Sequence, residues 1–157
     1  MLYDMAHESG PETMYDRILV PTDGSAGSEV AIEHAIALAR TFDASLHGLY
    51  VVETDRGPAE VEMAELLDAL EAVGRDAMTD LQERARAAGL ETVEGTVARG
   101  TPHRAILEYA DQKDIDLIVM GTHGRTGLDR YLLGSVTEKV VRMAEVPVTT
   151  VRMEPQE

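Results

Sequence analysis

Gly121, Gly124, Gly134 and Ser135 are the residues of this chain whose types and spacing speak most directly of chemistry. An apolar run ending at Met120 precedes them, and a helix-like stretch from about Val136 follows. The order is strand, glycine-bearing loop, helix. Glycine lets backbone approach a bulky anion where a Cβ would clash. A helix start offers N–H groups without intrahelical partners and a partial positive charge. The chemistry this suits is phosphate binding. The spacing excludes two better-known loops. There is no G-x-x-x-x-G-K-[ST], and two residues separate Gly121 from Gly124, so G-x-G-x-x-G is not met. The plain alternative is a surface loop with turn glycines and a serine N-cap.

Other polar residues have weaker claims. Asp23, just before Gly24, either shapes a turn and caps the next helix or contacts the ligand. His123 lies in the glycine loop, where it shapes the loop or takes part in catalysis; without cysteine or a paired histidine at ligand spacing, a metal role is disfavoured. His103 reads as a solvated helix-start residue, and His34 and His47 need no function. Glu138 and Asp129 are candidates for a general base, by position only. Arg130 points either to solvent or to phosphate.

These residues need a frame to hold them. Apolar runs at 17–20, 45–52, 92–98, 116–120 and 146–152 read as five strands, with Pro147 near the start of the last. Helical spacing of Ala31, Ile32, Ala35, Ile36, Leu38 and Ala39 fills the first gap. A long acidic helix over about 59–88, stopped by Gly89, fills the second, with Leu66, Leu67, Leu70, Met78 and Leu81 as its core face. Thr101 caps and Pro102 opens a third helix to about 112, and 135–144 forms a fourth. Strand–helix alternation implies a mostly parallel sheet covered on both faces. Ligands of such sheets lie outside the carboxyl ends of the strands, where strand order reverses. The loop after the first strand carries Asp23 and the loop after the fourth carries Gly121, so both meet there.

Composition narrows the class. At 157 residues, one domain over 15–153 is expected, with residues 1–14 a disordered extension, Met14 a candidate native start, and 154–157 a tail. There is no cysteine, which suits a reducing cytoplasm. No apolar stretch approaches ~18 residues, so no membrane span is expected, and the first residues lack the pattern of a signal peptide. The net charge is −15, and of 14 basic residues only Lys113 and Lys139 are lysine. Such acidity reads as adaptation to high salt, where carboxylate repulsion is screened; an ordinary acidic cytoplasmic protein is the alternative. A nucleic-acid surface is disfavoured, with no basic patch and 4% aromatic residues. The eight methionines are scattered and read as core filling.

These features together resemble the universal stress protein family, in its nucleotide-binding branch. The resemblance runs from Tyr15 to Met153. It rests on the segment from Ile18 to Ser25, on Leu49 to Glu53, on Gly100 to Pro102, on Asp116 to Gly124, on Leu133 to Thr137 and on Val146 to Arg152. The family pattern G-x2-G-x9-G-[ST] is met in full. The resemblance implies an open doubly wound five-stranded parallel sheet of order 3-2-1-4-5, of the adenine-nucleotide alpha hydrolase type. It implies ATP as ligand, with Mg or Mn carried by the phosphates, and a homodimer through the last strand, 146–152. By the same resemblance Pro21, Thr22 and Asp23 line the adenosine side, and Val51 offers backbone to the adenine edge. Met120, Gly121, His123, Gly124 and Arg125 border ribose and phosphates, and Gly134, Ser135, Val136 and Thr137 cradle the phosphates. The function expected is a cytoplasmic, ATP-binding, dimeric regulator of stress response. A slow ATPase and a nucleotide-free protective scaffold are the alternatives.

Overall fold

The computed structural model describes residues 14–54, 60–122 and 134–153. Strands β1 (Arg17–Thr22), β2 (Ser45–Glu53), β3 (Val93–Gly100), β4 (Leu117–Gly121) and β5 (Val148–Val151) alternate with helices α1 (Ala26–Phe42), α2 (Glu60–Ala87), α3 (Pro102–Gln112) and α4 (Ser135–Met143). The strands form one sheet in the order β3-β2-β1-β4-β5, as expected, and every pair is parallel. Side chains alternate across it. Ile18, Val20, Leu46, Tyr50, Leu117 and Val119 pack with α1 and α2 on one face. Leu19, Leu49, Ile118 and Met120 pack with α3 and α4 on the other.

Each helix is set by local chemistry. Ser25 caps α1, accepting from the Ser28 N–H, and the helix ends at Asp43 in the left-handed region with φ 55°. Its buried face, Ala31, Ala35 and Ala39 around Ile32, is mostly small. Helix α2 stops at Ala87, and Gly89, at φ 102°, turns the chain as expected. The Leu90 N–H then reaches back to the Ala85 carbonyl at 3.0 Å. Thr101 occupies the cap position of α3 but does not make the side-chain cap bond; Pro102 opens the helix.

Helix α2 lies very close to the sheet. A Cβ at Gly48 or Gly95 would stand 2.8 Å from Leu81 or Met78, and one at Gly74 would stand 2.7 Å from the Tyr50 ring. Of the expected core face of α2, Leu67, Met78 and Leu81 are buried, but Leu66 is exposed. Two adjacent leucines cannot both face the sheet at ~100° per residue. The last strand is shorter than the run 146–152 suggested. It starts at Val148 because Pro147 has no N–H for the ladder, although its carbonyl still accepts from the Ile118 N–H at 3.0 Å.

A buried polar pair joins β2 to α3. His47 Nδ1 lies 2.7 Å from the Tyr109 hydroxyl, with the rings edge to face. Burial pushes the His47 imidazole below its ordinary value and Tyr109 above its own.

Candidate functional site

The site begins with a proline in a central strand. The Asp116 N–H donates to the Arg17 carbonyl, so alternation turns Arg17, Leu19 and Pro21 toward β4. The β1–β4 register covers only Ile18 with Leu117 and Leu19 with Ile118. At Pro21 there is no N–H to continue it. Beyond this point β1 leads into α1 on one face and β4 is followed by α4 on the other. A crevice therefore opens at the carboxyl ends of β1 and β4, where the strand order reverses. It forms a cleft of about 510 Å³, within the range of small-molecule sites.

Every ligand-contact residue implied by the resemblance that the structure describes lines this cleft. Pro21, Thr22 and Asp23 come from the end of β1, Val51 from β2, Met120 and Gly121 from β4, and Gly134, Ser135, Val136 and Thr137 from the start of α4. His123, Gly124 and Arg125 lie outside the described residues, as do Asp129 and Arg130.

At one end the cleft offers strand backbone between apolar walls. The Ser45 N–H donates to the Asp16 carbonyl, so alternation turns the polar groups of Val51 and Glu53 toward β1. The register of β1 ends at Thr22 opposite Tyr50. The next ladder donor for the Val51 carbonyl would be the Gly24 N–H, which donates instead to Thr22 Oγ1 at 3.2 Å. The Val51 carbonyl thus extends past β1 with no ladder partner there. Pro102 and Ile106 of α3 and Leu70 of α2 add apolar wall. A flat base with a donor amino group on its edge fits such a slot.

At the other end two helix starts converge, and they differ. The start of α1 is closed by its own side chains. Asp23 Oδ1 accepts from the Ser25 N–H and the Ser28 hydroxyl, each at 2.9 Å, and Ser25 Oγ accepts from the Ser28 N–H at 3.3 Å. Asp23 therefore does shape the turn, while also lining the cleft. The start of α4 has no side-chain cap: Gly134, at φ −64° and ψ 156°, holds the cap position, and Ser135 is the first helical residue. An anion in the cleft would meet backbone N–H groups there.

Gly121 has a structural reason of its own. A Cβ there would lie 2.7 Å from the carbonyl oxygen of Gly27 in α1. Thr137 is buried, and its hydroxyl donates to the Gly121 carbonyl at 2.9 Å. Toward a phosphate it thus offers its backbone N–H, the hydroxyl proton being engaged within the protein.

The carboxylates lining the cleft, among the described residues, are Asp23 and Glu53. Glu138 is not among the lining residues; it pairs with Arg142 one turn on, at 3.4 Å. Among the described residues no group of three acidic, histidine or cysteine side chains could hold a metal ion. No helix among them is long and apolar enough to cross a membrane. Sequence reasoning missed Ser28, Tyr50, Val52, Glu53, Leu70, Pro102 and Ile106 as lining residues. The S-x-x-S spacing of Ser25 and Ser28 was a usable capping signal. Nothing local in the sequence marks Leu70 or Ile106, which reach the cleft through helix packing.

Comparison with known proteins agrees with this architecture. The sequence model of the universal stress protein family matches residues 14–152. A universal stress protein of Methanocaldococcus jannaschii, MJ0531, is 40% identical over 144 residues, covering 90% of this chain and 84% of that protein. The structure of a universal stress protein from Lactobacillus plantarum superposes with a TM-score of 0.83 at 34% identity, covering 88% of this chain and 98% of that one. A universal stress protein solved in complex with cAMP has a TM-score of 0.72 at 27% identity, covering 90% of this chain and 100% of that one.

Proposed function

The chain belongs to the universal stress protein family, and from that premise we propose that its cleft binds ATP and that the protein is a nucleotide-dependent regulator of the stress response. The observation that carries the reading is the polarity of the cleft. A backbone carbonyl between apolar walls lies at the β2 end, and a helix start without a side-chain cap lies at the β4 end. A purine and a phosphate chain need these two environments within one site. The complex of a family member with cAMP supports an adenine nucleotide. The residues proposed to contact it are those named from the sequence, with the base beside Val51, the ribose near Asp23, and the phosphates along Gly121 and Gly134–Thr137. His123, Gly124 and Arg125 join them by their place in the motif.

Magnesium or manganese would arrive on the phosphates and hold their charge, a mode that needs few protein ligands. The protein's own contribution is to bind and orient. The chain is further proposed to work in a salt-rich cytoplasm, as its net charge of −15 suggests, and as a dimer through β5, which ends the sheet.

Denaturing the purified protein and identifying any released nucleotide tests the reading, together with calorimetric titration of ATP into stripped protein. Released ATP and saturable binding are expected. ADP with measurable turnover would favour a slow ATPase, and a cleft that takes up no added ATP would overturn the proposal.

A further inference from the structure

The end of β4 carries a carbonyl of the wrong sign for a phosphate site. The N–H groups of Ile118 and Thr122 donate to the Pro147 and Val151 carbonyls of the β5 segment. By alternation Gly121, between them, turns its own carbonyl the other way, toward β1. The β1–β4 register has already ended there, so this oxygen lies on the crevice side, and Gly121 lines the cleft. An outward carbonyl repels an anion. Thr137 meets this oxygen. It stands at the third position of α4, the residue is 4% exposed, and its hydroxyl donates to the Gly121 oxygen at 2.9 Å. A second bond ties the same two segments, from the Gly134 N–H to the Thr122 carbonyl at 2.6 Å.

We propose that Thr137 is a positioning residue for the anionic part of the ligand. Its hydroxyl fixes the first turn of α4 against the end of β4 and masks the Gly121 carbonyl, so that the helix presents N–H groups to the phosphates. This rests on the nucleotide reading above and refines it. Thr137 acts through Gly121 and the backbone of α4, not through its own hydroxyl on the ligand. The role predicts a selective defect: binding of the phosphates should suffer and binding of the nucleoside should not.

Adenosine and ATP with magnesium are titrated into wild type, Thr137→Val and Thr137→Ser, and amide exchange of Glu138 is followed without ligand. The Glu138 N–H donates to the Gly134 carbonyl at 2.8 Å and reports on the first turn. In Thr137→Val, ATP affinity should fall about tenfold or more, the scale of one lost hydrogen bond. Adenosine affinity should stay within about twofold, the spread left when a perturbation misses the contact. Exchange at Glu138 should quicken while exchange in α3 does not, and Thr137→Ser should restore all three. Equal losses for adenosine and ATP, no loss for either, or no rescue by serine would overturn the proposal. Wild-type protein that binds neither ligand would instead overturn the nucleotide reading; unchanged Glu138 exchange in Thr137→Val would then still refute the positioning role of Thr137.

Discussion

Gly121→Ala tests whether the glycine that opens the motif serves the ligand alone or the fold as well. The new methyl carbon would lie 2.7 Å from the Gly27 carbonyl oxygen and 2.9 Å from its carbon. Ordinary contact begins near 3.4 Å, so 0.7 Å (3.4 − 2.7) must be found. Neither side yields easily, because both contacts are backbone. Ser28, next to Gly27, is buried, with its hydroxyl on Asp23 at 2.9 Å. On the other side, Gly121 accepts from Thr137. Overpacking of this kind costs about 1–3 kcal/mol, and the upper half is expected here. For a domain of this size ~2–4 °C of Tm accompanies each kcal/mol, so a fall of roughly 4–12 °C follows. The assay is urea and thermal unfolding by circular dichroism at fixed potassium chloride, with the m-value unchanged. Gly134→Val is the control. Its backbone, at φ −64° and ψ 156°, is open to any residue, so the protein should fold while ATP binding weakens by about 1–3 kcal/mol. A Gly121→Ala protein that melts with wild type would refute the close-approach argument.

The titration of His47 gives a second test. Burial, foremost, holds it below its ordinary 6.5, with Lys113 and Arg17 adding to this and Glu94 opposing. The unfolded chain therefore binds more protons between the two values. Stability from this site is full above about pH 6.5 and falls as pH drops below it, levelling off only beneath the folded value. His47→Gln should flatten that part of the pH profile; an identical slope in both proteins would exclude His47 as its source. At the sheet edge, Asp at both Val148 and Val151 should give monomer in analytical ultracentrifugation, since exposed edges pair or are masked, and an undiminished dimer would rule out this interface. ATP binding should require a divalent cation and should not weaken from low to moderate salt, because screening relieves the repulsion of a chain at −15. Equal affinity in chelator, or affinity falling steadily from the lowest salt, would contradict the electrostatic account.

Much of the frame was legible because periodicity is local. The alternation of apolar runs placed five strands and four helices, and Gly89 and Pro102 marked ends where the chain turns or starts. The order of the strands came from the resemblance, since spacing along one chain does not say which strands are neighbours. Pro21 shows what was hidden. It looked like the end of a strand, yet β1 continues through it to Thr22, because its missing N–H faces the place where β4 has already parted. The sequence left two readings of Asp23 open, since turn-shaping and ligand contact use the same residue type; the structure shows the turn-shaping. Gly121 carried a motif signal, but its contact with Gly27 depends on how α1 meets β4, which no local pattern encodes. Glu138 was named by sequence position alone; the helix turns it to Arg142 and away from the cleft.

Gly48, Gly74 and Gly95 make α2 a keyed shaft. The sheet presents notches for Leu81 and Met78, and the helix presents one for Tyr50. Keys cut on both parts leave a single axial setting. A slip of one residue, ~1.5 Å, would carry a side chain out of its notch and onto a neighbour. Leu70 stands one turn before Gly74 and lines the cleft. The height of that wall is thus a dimension gauged by three absent methyl groups, two of them on the sheet and beyond any ligand's reach. A bulkier residue at Gly95 would then retune the cleft from a distance, by resetting the shaft rather than by touching what the cleft holds.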